Sequence, residues 1–393
     1  MQPMSGIRII EATTNAAGPM ATGMLADQGA EVIRWEARGS GDNSRHVGGR
    51  RGGVGAYTAY MNRNKHSMAV DLRNAALRPW LLELVRTADV FVQNARPGAL
   101  ARSGFGYEDL RVVNPDLIYV SISGFGASGP AAHQRVYDPV IQCVSGFTDV
   151  QGDGDTPALM KTIASDKVTA LTAAQAISAA LLARARGIAG GHHVELSMLD
   201  ASLAFLWPEA YWNHSFAGDE PFETRPAIAD FYRLLSTRDG HITLTVVGDE
   251  EWYGACRALG LQAIQDEARF RTLSDRFANF AELCDLLEAA MQALDADEVV
   301  RRMDREGVPC AKVNRLAEVF DDPRVTHRAS IVEYDHPDAG RLRQARAPAI
   351  FDGQPCPVRS GSPRLGQHTA ELLASVGCPA EDISALRAAG AID

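Results

Sequence analysis

Over its first 200 residues the chain alternates strand-like runs with helix-like stretches, and this alternation is the strongest constraint on what it can fold into. "IRIIEAT" reads as a strand and "GPMATGMLADQGA" as a helix ending near Gly29, followed by the strand "EVIRWEA". "SMAVDL", a helix around "LRPWLLELVRTA" and "DVFVQNA" repeat the unit, and "LIYVSISG" and "HHVELSML" add further strands. Strands separated by helices at this spacing predict an α/β fold with a mainly parallel sheet. Between the last two strands lies "SDKVTALTAAQAISAALLARARG", an Ala-rich helix with an apolar stripe expected at Val168, Leu171, Ala174, Ile177 and Leu181. Asp166 stands at its start, where a carboxylate ordinarily caps unpaired N–H groups. Asp200 is likewise expected to cap the helix "ASLAFLW".

The pattern changes after about Trp212. "FYRLLSTRDGHITLTVV" reads as a hairpin turning at Asp239-Gly240, and helices follow around "EEWYGACRALG", "AELCDLLEAAMQAL" and "ADEVVRRMDREG". Residues 212–325 are therefore expected to form a second, smaller α+β domain. The last stretch carries a strand pair around "SIVEYDHPDAGRLRQA", a Pro-rich linker and the helical "QHTAELLASVG".

Charge and motif content narrow the chemistry. The net charge of −10 argues against a nucleic-acid partner. Residues 31–115, however, hold 13 Lys/Arg against 8 Asp/Glu, a local +5 that suits an anionic small molecule. The six cysteines are scattered with no C-x-x-C pair, and the histidines show no metal-ligand spacing, so neither disulfides nor a metal is expected. The start "MQPMSGIRIIEA" lacks a basic, long-apolar leader, and polar Thr172, Gln175 and Ser178 interrupt the Asp166 helix. A cytoplasmic protein without a membrane span is the expectation. P-loop and nucleophile-elbow patterns are absent, so no ATP is expected. "GFGASG", Gly124–Gly129, fits a dinucleotide fingerprint, but Pro130 and Pro139 bracket a stretch without helical period, so NAD is not expected either.

Read together, "EATTNAAGPMATGMLADQGAEVIRWEARGSGD", "NRNKHSMAVDLR", "VQNARPGALARSGFGYEDL", "NPDLIYVSISGFGASGP", "VYDPVIQCVSG", the Asp166 helix and "PRLGQHTAELL" resemble the class III CoA-transferase family. That family includes the carnitine CoA-transferase, bile-acid-inducible and formyl-CoA transferase types and the related α-methylacyl-CoA racemases. The likeness runs end to end, densest before Asp200. It implies a large CoA-binding domain with a Rossmann-like, mainly parallel sheet, formed by residues 1–211 and 326–393, and a small α+β domain between. It also implies an interlocked homodimer. In such transferases the aspartate at Asp166 is the nucleophile that trades one thioester for another through a mixed anhydride and an aspartyl-CoA thioester.

By the same resemblance, Tyr137 and Asn15 join Asp166 in the catalytic set. CoA contacts map onto Ala16, Arg38, Leu72, Arg73, Asn94, Ala95, Arg96, Arg102, Ser103 and Arg135, with Arg suited to phosphate through its planar fork. The family's racemases carry His where this chain has Tyr137, and a phenol titrating near 10 is a poor base for α-proton exchange. The implied partners are an acyl-CoA donor and a small carboxylate acceptor. Oxalate is not favoured, because "TVVGDEEW" has only Gly248 where oxalate transferases carry a glycine run, and Asn15 stands where they have Gln. A racemase, or a catalytically silent CoA-binding protein on the same scaffold, is the alternative.

Overall fold

The computed structural model describes residues 1–188 and 190–393. Two compact units emerge, one of Met1–Pro208 with Ala329–Asp393 and one of Glu209–Arg328. In the first, strands β1 (Arg8–Ala12), β2 (Glu31–Ala37), β3 (Lys65–Val70), β4 (Val90–Gln93), β5 (Ile118–Ser123) and β6 (His193–Ser197) form one sheet. Its order is β3-β2-β1-β4-β5-β6 and every pairing is parallel. All six carboxyl ends therefore lie along one edge. The order reverses between β1 and β4, the place where open α/β sheets offer a ligand crevice.

Alternation along the strands accounts for two separate cores. Ile9, Val32, Val90, Val92, Ile118 and Val120 face α1 (Ala17–Asp27) and α5 (Ala164–Ala185). Ile10, Ile33, Met68, Phe91 and Tyr119 face the opposite side, against α2 (Arg78–Arg86), α3 (Tyr107–Val113) and the chain's last helices, Thr369–Ser375 and Ala380–Ala388. Strands buried on both faces read as near-continuous apolar runs, as seen here. The C-terminal tail also covers the β3 edge: His368 Nδ1 and Thr369 Oγ1 accept from Ser67 N–H and Ala69 N–H, each at 3.1 Å, and Ile392 bridges Val70.

Two expectations need correction. In α5 the buried face is Ala170, Ala173, Ile177 and Leu181, whereas Leu171 is 57% exposed. Ile177 and Leu181 are buried and Ala174 packs against the core as expected, but at the start of the helix small Ala170 and Ala173 take the place of Val168 and Leu171 beside Ala21 and Leu25, because close packing there favours small side chains. Its length and hydropathy would suffice to cross a membrane, yet this face is core. Asp200 is not a cap. Helix α6 (Met198–Ala210) begins two residues earlier, and Ser197 Oγ accepts the Asp200 N–H at 2.9 Å.

The sheet encloses a charge. Glu11, in central strand β1, is fully buried with Arg34 and Lys65. Lys65 Nζ reaches Glu11 Oε2 at 2.8 Å, Pro19 O at 2.7 Å, Thr22 Oγ1 at 2.9 Å and Asn62 Oδ1 at 3.0 Å. Arg34 stands 3.5 Å from Glu11, 3.6 Å from Glu36, and bonds Asp42. Burial opposes ionisation of Glu11, but the Lys65 and Arg34 charges outweigh it and its carboxyl lies below the usual range.

The second unit folds on its own core. Strands β7 (Leu235–Ser236) and β8 (His241–Leu244) form the hairpin, shorter than "FYRLLSTRDGHITLTVV" suggests, and β9 (Cys310–Lys312) pairs with β8 antiparallel. Helices α7 (Asp249–Leu259), α8 (Phe280–Met291) and α9 (Ala296–Arg305) pack around Trp252, Met291, Val299 and Met303.

Removing one partner of a buried pair leaves an uncompensated charge. Glu11→Gln should therefore lower stability by about 3–5 kcal/mol, whereas an apolar pair, Glu11→Leu with Lys65→Met, should recover part of the loss. Urea unfolding of the three proteins measures both.

Candidate active site

The site begins where β1 ends. Residues 13–16 turn the chain into α1, and Asn15 occupies the left-handed region at φ 64°. Its N–H donates to both Asp42 carboxylate oxygens, at 3.0 and 3.2 Å. Asp42 is itself buried, bonded by Arg34 and by Ser44 Oγ at 2.6 Å. The turn is tight: a Cβ on Gly18 would lie 2.4 Å from the Thr13 Cβ. The buried ion cluster thus holds the backbone that starts α1.

Across the switch point, Asn94 follows β4 and locks onto the same turn. Its Oδ1 accepts the Thr14 N–H and its Nδ2 donates to Thr14 O, both at 2.9 Å. Ala95 N–H donates to Gln93 Oε1 at 2.8 Å.

Asp166 is reached from another direction. Ile163 occupies the N-cap position of α5, so Asp166 is the third residue of its first turn. The capping carboxylate is Asp138, which opens helix α4 (Asp138–Val144) and is 3% exposed. Its Oδ1 accepts the Asp166 N–H at 2.9 Å and its Oδ2 the Gln142 Nε2 at 2.5 Å. Gln142 in turn holds Thr162 O at 3.0 Å and Met160 N–H at 2.9 Å, fixing the segment that enters α5. Asp166 is thereby relieved of capping its own helix, and its side chain receives the backbone N–H of Ala17, the first residue of α1. Burial, joined by the Asp138 charge, pushes its carboxyl up to about 6, with the Ala17 N–H pulling the other way. Tyr57 borders the same carboxylates. Its phenol is pushed up to about 12 by burial and by the charges of Asp166, Asp42 and Asp138. At neutral pH it is a hydroxyl donor.

Of the residues expected from sequence, Asn15, Ala16 and Asp166 meet at the start of α1, and Asn94 is bonded to the residue before Asn15. Tyr137 directly precedes Asp138, at the N-cap position of α4, and is 65% exposed. Arg38, Leu72 with Arg73, and Ala95 with Arg96 follow the carboxyl ends of β2, β3 and β4. Arg102 and Ser103 lie in the short helical turn Ala101–Ser103, and Arg135 on irregular chain after β5. Arg38 is drawn to Asp393 at 3.3 Å and Arg73 to Asp71 at 3.0 Å. Arg96, Arg102 and Arg135 make no ion pair among the described residues. "GFGASG" also follows β5, and no helix begins until Asp138.

Three residues escaped the sequence reading: Asp42, Asp138 and Tyr57. Asp138 had a signal, an acidic residue before Pro139 at a helix start. Asp42 and Tyr57 sit in the Gly-rich stretch of residues 39–57, which has no periodicity to place them.

The chain matches CoA-transferase family III over residues 4–369. A succinate–glutarate CoA-transferase of Agrobacterium fabrum is 34% identical, the match covering 95% of this chain and 96% of the relative. An acetyl-CoA:oxalate CoA-transferase of Acetobacter aceti is 32% identical, covering 96% of each. Among solved structures, a CAIB/BAIF family protein from Brucella suis superposes with a TM-score of 0.80 at 32% identity, over 95% of this chain and 99% of that one. Likeness over essentially the full length, in sequence and in fold, makes this chain a member of CoA-transferase family III, a class III CoA-transferase that takes acyl-CoA as substrate.

Proposed function

We propose that the enzyme moves CoA from an acyl-CoA to a small carboxylic acid through Asp166 as a covalent nucleophile. The observation that carries this is a partly buried carboxylate freed from capping by Asp138 and facing the N–H of a second helix start. The carboxylate attacks the thioester carbonyl carbon, the C–S bond breaks, and CoA leaves as thiolate with a mixed anhydride remaining. The thiolate attacks the aspartyl carbonyl of that anhydride, releasing the donor acid and leaving an aspartyl-CoA thioester. The acceptor carboxylate then displaces the thiolate, and the thiolate returns to the acceptor's acyl carbon, restoring Asp166. Over the full cycle one thioester is exchanged for another, so no ATP enters.

In this reading the carboxyl edge of the sheet holds CoA. Arg96, Arg102 and Arg135, with no carboxylate of their own, are the favoured phosphate partners, and Arg38 would exchange Asp393 for phosphate. Asn15, Ala16, Leu72, Arg73, Asn94, Ala95 and Ser103 complete the cradle, and Tyr137 and Tyr57 offer hydroxyls to the acids. The names of the relatives favour short acids, succinate and glutarate before oxalate. Exposed Leu171, Leu182, Phe205 and Trp207 support a homodimer, which light scattering would report.

Incubation with an acyl-CoA donor and hydroxylamine should convert Asp166 to its hydroxamate, visible by peptide mass. Asp166→Asn should reduce transfer on the order of 10³-fold or more. An unlabelled Asp166 together with a fully active variant, deamidation excluded, overturns the mechanism. With Tyr137 in place of a His base, a 2-methylacyl-CoA should show no deuterium wash-in at its α-carbon in D₂O.

Because the nucleophile is the anion, kcat/KM should rise with pH through about 6. Asp138→Asn keeps an oxygen for the Asp166 N–H but removes the neighbouring charge, so its profile should shift to lower pH. The sign for stability is opposite. A folded value raised above the usual 3.8 means that ionised Asp166 costs stability, a cost absent below 3.8 and complete above about 6. Asp166→Asn should therefore stabilise the protein by about 3 kcal/mol at pH 8, an effect that fades towards about pH 3, as thermal melts at the two pH values would show.

A further inference from the structure

Arg38 and Gly39 stand at the carboxyl end of β2, and their donors converge on one anion. Gly39 takes the left-handed region at φ 80°, which brings its backbone N–H to the same side as the Arg38 guanidinium. A guanidinium beside a backbone N–H after a strand end is a donor set that suits phosphate oxygens. Here a carboxylate of the chain itself takes the seat. Asp393 Oδ2 accepts the Gly39 N–H at 2.9 Å, and its Oδ1 accepts from Arg38 Nε at 3.3 Å.

The segment that carries Asp393 is firmly held. Ala391 and Ile392 are buried in the same core as Trp35 and Val70, Asp71 N–H donates to Ala391 O at 2.9 Å, and Ile392 bridges Val70. Arg387, in the helix Ala380–Ala388, donates to the Asp393 carbonyl at 3.3 Å. The fit against Arg38 is close, for a Cβ on Gly390 would lie 2.9 Å from its Nη1. These contacts hold the tail without help from the Arg38 pair, so that pair opens at little cost to the fold. The pair itself is weak, its side chains being 45% and 32% exposed. A phosphate brings more charge and more acceptor oxygens than a carboxylate, and so prevails at the same donors.

We infer that Asp393 is a built-in competitor for a phosphate of CoA at Arg38 and Gly39, an autoinhibitory contact that CoA displaces on binding. The inference rests on the reading above in which Arg38 contacts CoA, and makes no use of Asp166.

Calorimetric titration of the full-length protein with CoA, and with pantetheine as the fragment that has no phosphate, tests it. Asp393→Ala should tighten CoA about three- to fivefold and leave pantetheine unchanged, with an unaltered thermal midpoint as the folding control. Asp393→Asn, which keeps one acceptor oxygen and loses the charge, should give a smaller gain in the same direction. Arg38→Gln should weaken CoA about tenfold, and in that background Asp393→Ala should lose most of its effect. Unchanged CoA affinity in both Asp393 variants, with Arg38→Gln still weakening CoA, overturns the inference and leaves the CoA reading standing. An Arg38→Gln protein that binds CoA as tightly as before overturns that reading of Arg38, and the inference with it. An equal gain for pantetheine also overturns the inference, because the tail would then act without the phosphate.

Discussion

A carboxylate in the middle of a parallel sheet cannot stay unpaired, and most of the site follows from that requirement at Glu11. Lys65 from β3 and Arg34 from β2 converge on it across neighbouring strands. Once buried, Arg34 has further donors to satisfy, and Asp42 takes one. Asp42 then has acceptor capacity left, which the Asn15 N–H fills. Asn15 accordingly adopts a left-handed conformation that few residues other than Gly, Asn and Asp enter readily. Two residues later, Ala17 presents its N–H to Asp166. A chain of hydrogen bonds and one short turn connect the electrostatic centre of the sheet to the Asp166 carboxylate.

Asp166 itself shows how one residue avoids two incompatible duties. A capping carboxylate spends its lone pairs on its own helix and is held well ionised. Here Asp138 supplies the cap from a neighbouring helix, and its negative charge raises the proton affinity of Asp166 as well. The result is a carboxylate that is still ionised at neutral pH but less stabilised than a surface Asp, which is what the proposed attack on a thioester carbonyl asks of it. In the proposed mechanism, stability and reactivity are opposed at this position.

Much of the fold was legible in the sequence because the hydrophobic period is local. Each of the six parallel strands and helices α1, α2 and α5 announces itself by pattern, and GFGASG could be dismissed because no helical period follows it. Boundaries and rotations were less legible. Asp200 resembles an N-cap, but Ser197 competes for the same role one turn earlier. The stripe through Val168 and Leu171 is the more hydrophobic face of α5, yet Ala170 and Ala173 are buried because core packing rewards close approach over side-chain size. Nothing along the chain links residue 42 to residue 15, or residue 138 to residue 166, since those pairs exist only once strands and helices are assembled.

By itself the sequence determined the fold class, the family and the nucleophile candidate, since these depend on periodicity and on motifs contiguous in the chain. Only the tertiary structure decided which carboxylate caps α5 and which Asp holds the loop at Asn15. It alone decided which arginines near the carboxyl edge keep their charge unpaired, and that Arg38 meets Asp393. The physical reason is the same in each case. Burial and pairing are properties of neighbours in space, and they determine the energy of a charge far more than its neighbours in sequence do.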